Sequence, residues 1–519
     1  MRGWLPLAAV CLGSLMFLLD TTVVAVALPD VARSFGASLR GLQWVANGYT
    51  LVLAVAMLPA GAYADRLGAR RVYLTGLAVF ALASLACGFA PDTGALIAAR
   101  AVQGLGGAAL AVTAFALIAH IYQGRAMASA MSVWGAVTGL GAAAGPMVGG
   151  VLTQYLDWRA IFFINLPLTL LAVVLTLKCL PNPSFAEVDS QDGRRPGAEK
   201  RVSKASGPVG ATSRGRLGPI GAASRGRVVD PLGTLLFAVV AAGLTDALTT
   251  AGADGWDRTR VLLGLGAACV ALVLFVAVEL RQERPLVDLR LFTRPLFGVV
   301  LACVLASSVA FACLIYTSVW LQTGLGLSPV RTGLALMPMA LATFVTSTVT
   351  TRLPRSLPPR YGIAVGLVLC AAGCALQSGL DAGSGASSIT LGLAVTGVGV
   401  ALLVPASGVV LTVVPATRRG MAAGASMTAR QLGQTLGVAL LGVLYATSSR
   451  TSGTATSSGS HASWGEAAGG GGSASAAHAL DHVYLAASAV SLLGAALALA
   501  ALNPMPTRSR LARWVRRAF

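Results

Sequence analysis

Runs of about 18 to 25 mostly apolar residues recur along the whole chain, and each is long enough to cross a ~30 Å hydrocarbon core as a helix. Short charged turns separate them. Fourteen such runs are expected, over approximately residues 5–28, 43–63, 72–90, 95–119, 128–152, 160–179, 231–250, 260–280, 297–320, 331–351, 361–380, 388–413, 426–447 and 481–502. Apolar character is continuous within each run, whereas a membrane barrel strand alternates over roughly ten residues and needs a closed ladder. The pattern therefore predicts an all-α polytopic membrane protein, arranged as six helices, two, and six more.

Composition agrees. Of 519 residues, 55% are hydrophobic and only 11% charged, and the mean hydropathy is +0.75, which excludes a soluble domain of this length. A net charge of +19 would point to nucleic acid in a soluble protein. Here it follows topology. With the N-terminus in the cytoplasm, 30 of the 38 Lys and Arg fall on the inner side and 8 on the outer side or in outer halves of helices, as the positive-inside rule requires. Both termini are then cytoplasmic, and the basic excess serves orientation and attraction to an anionic inner leaflet, not nucleic acid. The first run superficially imitates a secretory signal ending at Ala25-Val26-Ala27. It is too long for one and contains Asp20, so a retained helix is expected. The 8 cysteines lack metal-ligand or paired extracellular spacing and read as small packing residues.

The domain plan follows from the interruptions. Residues 1–180 form a first six-helix bundle. Residues 181–230, rich in Gly, Ser, Pro and Arg, read as a disordered cytoplasmic linker. Residues 231–296 hold an inserted helix pair with a charged connector, 297–507 a second six-helix bundle with an outer loop at 448–480, and 508–519 a basic amphipathic tail. Two bundles able to move as rigid bodies around a central site is the plan of an alternating-access carrier. Trp4, Trp158, Trp256, Trp320 and Trp514 fall near predicted helix ends and are expected in the headgroup belts.

The chemistry lies in a few charges where a membrane helix tolerates none. Asp20 stands inside the first run and Arg100 inside the fourth. Counting ~1.5 Å per residue from the predicted outer ends puts them about 13 Å and 10 Å deep. An isolated charge at that depth costs several kcal/mol, so the two are expected to pair or share a wet cavity. An Asp beside a fixed Arg can carry a proton, because protonation releases the pair and deprotonation restores it. A static bridge fixing helix packing is the alternative. Gln103, one turn from Arg100, is placed to hydrogen-bond either partner, and Asp246, about one turn from an outer end, is a minor candidate.

The turn between the second and third runs carries Gly61, Asp65, Arg66, Gly68, Arg70 and Arg71. Asp65 at a helix C-terminus opposes the dipole and needs a compensating partner. Such a cluster at the cytoplasmic seam can latch one state and break in another. The fifth run spaces Gly141, Gly145 and Gly149 by four, with Pro146 and Gly150 between and after. A side-chain-free stripe of this kind admits a neighbouring helix, and Pro146 allows a bend. Asn165, Gln322 and Gln377, with Gln103, are the candidate cavity hydrogen-bonders; Arg430 and Gln434 are placed comparably. No nucleotide-binding, hydrolase or metal motif is present, so no cofactor and no metal are expected and the chain is not read as an enzyme.

With Gly61 to Leu74, Arg100-Ala-Val-Gln103-Gly104-Leu-Gly106-Gly107 and Gly141 to Gly150 in view, the chain resembles the major facilitator superfamily. Leu19 to Pro29, Trp158 to Pro167 and the helix count make it similar to the 14-helix drug:proton antiporters. The resemblance implies proton coupling at Asp20 and Arg100, a conformational-switch loop at Gly61 to Arg71, and an exporter motif at Gly141 to Gly150. It also implies efflux of a small amphipathic drug or antibiotic from a bacterial cytoplasmic membrane, driven by protons, by a monomer. Departures from the pattern are Ala25 in place of a common Asn, Ala69 in place of an Arg, and an acid-free counterpart loop at Thr351 to Arg360. Alternatives are a dedicated exporter of an endogenous metabolite and a transport-incompetent sensor or scaffold. The scarcity of acids favours a neutral or monovalent substrate over a divalent cation.

Overall fold

The computed structural model describes residues 4–122, 124–180, 230–256, 259–282, 285–287, 289–293, 295–352, 359–381, 383–403, 419–453 and 472–501. The predicted linker, most of the Pro-rich loop near residue 355 and the basic tail with Trp514 lie outside them. Among the described residues the regular structure is helical: α1 (Leu5–Phe35), α2 (Leu39–Leu67), α3 (Ala69–Gly88), α4 (Thr93–Ile121), α5 (Gly124–Tyr155), α6 (Ala160–Phe163, resuming after Ile164 as Asn165–Cys179), α7 (Pro231–Asp254), α8 (Thr259–Arg281), α9 (Pro295–Val319, extended by a π-turn at Trp320–Gly324), α10 (Pro329–Arg352), α11 (Pro359–Gln377), α12 (Thr390–Leu403), α13 (Arg419–Gly453) and α14 (Gly472–Ala501).

Twelve of these helices are long and apolar enough to cross a membrane. The other two leave the fourteen-span count open: the apolar part of α11 covers only Tyr361–Gln377, and α13 is long but more polar.

Helix ends follow local chemistry and overrun several predicted boundaries. Helix α1 continues past Pro29, its last turn carrying an Asp30–Arg33 ion pair, and stops at Gly36, which takes the left-handed conformation at φ 60. Ser38 then caps α2. Asp92 caps α4 by accepting from Ala95 N at 2.8 Å. Gly68 is the sole residue between α2 and α3, at φ +91, where only glycine is unstrained. The predicted outer loop 448–480 is shorter than expected, since α13 and α14 extend into it from both sides.

Within the first half, α4 packs between α2 and α3, and α1 lies against α5 and α6. In the second, α9 contacts α13 and α14, and α12 lies between α10 and α11. The halves meet along two seams, α2 with α13 and α5 with α10. The inserted α7–α8 hairpin rests through α7 on both α2 and α13, straddling the first seam.

The glycines of α5 explain the second seam. A Cβ at Gly145 would stand 1.8 Å from Thr22 Oγ1, and one at Gly149 2.7 Å from Val23 O, so α1 lies backbone to backbone on this stripe. The opposite side meets α10. A Cβ at Gly150 would lie 2.4 Å from Pro329 O, and one at Gly333 2.4 Å from Pro146 O. Helix α5 is thus clamped between α1 and α10.

These contacts lie toward the distal end, opposite the end where α1 begins and α14 finishes. Gln322 Nε2 donates to Val26 O at 2.7 Å, Gln154 Oε1 accepts from Val330 N at 3.1 Å, and Gln43 Nε2 donates to the Tyr316 hydroxyl at 3.1 Å. The proximal half of the α5–α10 seam is looser: Val133–Gly139 and Leu341–Thr350 are half-buried or exposed throughout. The distal mouth is closed.

Six of the eight cysteines are buried and all are free thiols. The tryptophan expectation needs correcting. Trp158 and Trp320 are 2% and 1% exposed and belong to the protein core, where Trp158 bonds Ser34 and packs edge-on to Phe35.

Gly145→Val should fail to give monodisperse protein or should lower the thermal unfolding midpoint clearly, since overpacking alone costs about 1–3 kcal/mol and here would push α1 off α5. Gly135→Val, with nothing within 4 Å of its Cβ position, should be tolerated; size-exclusion and thermal unfolding in detergent read both.

Candidate functional site: a buried ion pair beside the central cavity

Helices α1 and α4 bring Asp20 and Arg100 together. Both are buried, 0% and 1% exposed, and Arg100 Nη1 donates to Asp20 Oδ2. An ion pair out of water survives only if the remaining lone pairs and protons are satisfied, and this one is nearly so. Gln103 Oε1 accepts a second bond from Arg100 Nη1 at 2.7 Å, while Gln103 Nε2 donates to Asp20 Oδ1 at 2.9 Å. Asn165 Nδ2 reaches the same carboxylate oxygen at 3.4 Å. Ser84 Oγ accepts from both amides, at 2.9 and 3.3 Å.

The guanidinium has further support. Its Nε donates to Val45 O at 3.4 Å, and its central carbon lies 4.3 Å from the Tyr49 ring centroid and 5.8 Å from that of Phe162, within cation–π range. The Tyr49 hydroxyl is anchored on Phe17 O at 3.3 Å. Breaking the bond to Asp20 therefore leaves Arg100 with other partners. On the carboxylate side, Asn165 Oδ1 is buried and has no hydrogen-bond partner. It is an acceptor standing beside a group that gains a donor when protonated.

Arg100, and not Asp20, lines the cavity between the halves, with Thr21, Thr22, Val24, Ala25, Asn47, Thr50 and Pro146 on one side and Phe311, Ile315, Leu336, Gln434 and Val438 on the other. Its open space is about 30 Å³, room for water and far below the ~300 Å³ or more that a drug-sized ligand needs. Thr50 and Thr435 hydroxyls meet across it at 2.8 Å. Asn47 is fully buried, yet neither its amide nitrogen nor its oxygen has a partner.

The structure thus joins Asp20, Arg100, Gln103 and Asn165 in one network. Two other expected cavity groups are elsewhere. Gln322, in the π-turn ending α9, ties the halves through Val26, and Gln377 bonds Gly373 O and the Thr396 hydroxyl, joining α11 to α12. Asp246 holds Arg40 at 2.9 Å and Arg260 at 3.2 Å. In the α2–α3 turn, Asp65 is exposed and makes no ion pair among the described residues, while Arg70 donates to Leu177 O at 3.3 Å. Sequence reasoning missed Tyr49, Ser84, Asn47 and Phe162. The polar stretch Asn47-Gly48-Tyr49-Thr50 in the middle of an apolar run was the available signal for two of them.

Known proteins resemble the chain over most of its length. Residues 10–438 match the family model described as the Major Facilitator Superfamily. The chain is 35% identical over 445 residues to the "Multidrug resistance protein Stp" of Mycobacterium tuberculosis, covering 85% of this chain and 76% of that protein. It is 33% identical over 447 residues to the "Tetracenomycin C resistance and export protein" of Streptomyces glaucescens, covering 86% and 76%. Its fold matches the crystal structure of the human organic anion transporter MFSD10 with a TM-score of 0.59 at 16% identity, over 95% of this chain and 99% of that one.

Arg100→Met should cost about 3–5 kcal/mol of stability by stranding a buried carboxylate. The double variant with Asp20→Asn should recover much of that loss. Thermal or denaturant unfolding of the four-member cycle measures it.

Proposed function

The chain belongs to the major facilitator superfamily and is a multi-pass membrane transporter, and we propose that it exports small amphipathic drugs or antibiotics across the bacterial cytoplasmic membrane in exchange for protons. The observation that carries this reading is the buried Asp20–Arg100 pair, one partner of which lines the cavity between two helical halves. Similarity to proteins named for multidrug resistance and for tetracenomycin C export supports the direction and the class of cargo.

Proton arrival at Asp20 removes the negative charge that holds Arg100. The cation then rests on Gln103, Val45 O and Tyr49, and the new carboxyl proton has Asn165 Oδ1 as its acceptor. One turn further along α1, Thr22 and Val23 ride on the glycine stripe of α5, and Val26 O carries the tie from Gln322. A shift of α1 at Asp20 is therefore felt at both distal contacts between the halves. We assign the proximal end to the cytoplasm, which makes this an inward-facing conformer, consistent with an exposed Asp65. In the outward-facing state the Asp65 loop, with Arg66, Arg70 and Arg71, closes against the other half.

The cavity wall combines apolar side chains with Thr hydroxyls, Gln434 and the unpartnered Asn47, and no carboxylate lines it. That suits a neutral compound carrying adjacent donors and acceptors. The similarity to an exporter named for one antibiotic makes a dedicated metabolite exporter the second reading.

Asp20→Asn should abolish uncoupler-sensitive export from energised cells or inverted vesicles while the protein stays folded; undiminished coupled export by that variant would remove Asp20 from coupling. Asn47→Ala should weaken apparent affinity about tenfold for a hydroxyl- and carbonyl-rich compound such as tetracenomycin C, the effect of losing about 1.4 kcal/mol of hydrogen bonding. Tetraphenylphosphonium, which has no hydrogen-bonding group, should be unaffected if it is transported. Competition assays over both compounds measure this.

A further inference from the structure

The inserted hairpin holds a second pair of buried acids. Asp230 immediately precedes α7, and Glu279 lies in the last turn of α8, so both stand at the proximal end of the pair. They are 6% and 2% exposed. Asp230 Oδ1 caps α7 by accepting from Gly233 N at 2.9 Å, and Glu279 Oε2 accepts from Val287 N at 3.3 Å in the connector that folds back over α8. The other oxygens, Asp230 Oδ2 and Glu279 Oε1, are buried without any hydrogen-bond partner. Both converge on one point: a Cβ on Gly233 would lie 2.2 Å from the first and 2.7 Å from the second.

No cation among the described residues answers them. Among the described residues neither carboxylate has an ion-pair partner within 4.0 Å. On α8 itself Arg281 is exposed, as is Arg290 in the short turn Leu289–Thr293 that follows the connector. Of the helices packed on α7, α2 sends Arg40 to Asp246 near the distal end, and Arg430 of α13 pairs with neither acid. Two buried carboxylates sharing a site disfavour double ionisation, which favours one of them keeping its proton.

We propose that Asp230 and Glu279 form a proton-binding site of their own, sharing one proton between Glu279 Oε1 and Asp230 Oδ2. The helix ends decide which oxygen holds it. Asp230 sits at a helix N-terminus, which favours the anion, and Glu279 at a C-terminus, which disfavours it. Glu279 therefore donates, Asp230 accepts, and both orphaned oxygens are satisfied by one hydrogen bond. Gly233 is the floor of the site, since any side chain would occupy it. This clasp joins the proximal ends of α7 and α8 and stands apart from Asp20; it rests on the hairpin geometry and not on the transport reading.

The test uses full-length protein in detergent or nanodiscs, as wild type, Glu279→Gln and Asp230→Asn. Each amide replaces the shared proton with a permanent N–H donor. The folded site holds its proton more tightly than the unfolded chain, so its stabilisation is full at low pH and is lost as pH rises through the folded-state ionisation. The wild-type unfolding midpoint should fall by several degrees more than that of either variant as pH rises from about 5 to about 8. The infrared carbonyl band of a protonated carboxyl at neutral pH should lose intensity in each variant. Identical pH profiles in wild type and both variants, or a carbonyl band unchanged by both substitutions, would overturn the proposal. So would failure of both variants to fold at neutral pH, because an amide reproduces the bond that the proposal requires.

Discussion

A guanidinium and a carboxylate facing each other in the interior of a membrane protein set the terms for the rest of this structure. Each ion alone would lose several kcal/mol on leaving water, and the pair recovers that only through added hydrogen bonds. Here Gln103 faces both ions at once, Ser84 orients the two amides, and Tyr49 and Phe162 flank the guanidinium. Five helices, α1 to α4 and α6, are consequently committed to one small volume. A network of this kind ties the five helices to one another and leaves the edges of the bundle to other contacts.

Those edges are made of glycine. Helix α5 takes no part in the charge network, yet it touches the helix that carries Asp20 on one side and the opposite half on the other. Its small residues permit contacts made by backbone atoms, which have no rotamers to absorb a displacement. Where side chains mediate the same seam, toward the proximal end, the packing is loose. Stiff contact at one mouth and soft contact at the other is what a rocking interface requires.

Much of this was legible in the residues. The helical class and the partnership of Asp20 with Arg100 followed from hydropathy and the cost of buried charge. The matching depths that pointed to the pair were partly fortuitous, however. Helix α1 was expected to stop before Pro29, but it ends at Phe35, 15 residues beyond Asp20, or about 22 Å along the axis. The contact forms because the end of α1 projects past its neighbours and packs on Trp158. Gln377 has the same chemistry as Gln103 and was ranked with it, but it faces a helix neighbour and not the cavity, and rotation about a helix axis is poorly fixed when the helix is apolar all round. Trp158 and Trp320 misled for a related reason: position near a helix end says nothing about which side faces lipid. Asp230 and Glu279 lie at opposite ends of the inserted pair in sequence, and only the fold placed them over Gly233.

The hairpin that bears this second acid pair lies across the α2–α13 seam. Near its distal end Asp246 binds Arg40 of the first half, while Gly252 lies against the backbone of Val443 in the second, 3.0 Å from its Cβ position to Val443 Cα. Opening the distal mouth separates α2 from α13, so α7 cannot keep both contacts. The ion pair is directional and partly shielded, and the glycine contact is a close approach of backbone to backbone. The hairpin should therefore travel with the first half and slide along α13. Clasping its proximal end then matters mechanically, since a pair of helices anchored at one tip to a moving bundle stays a unit only if its other tip is closed.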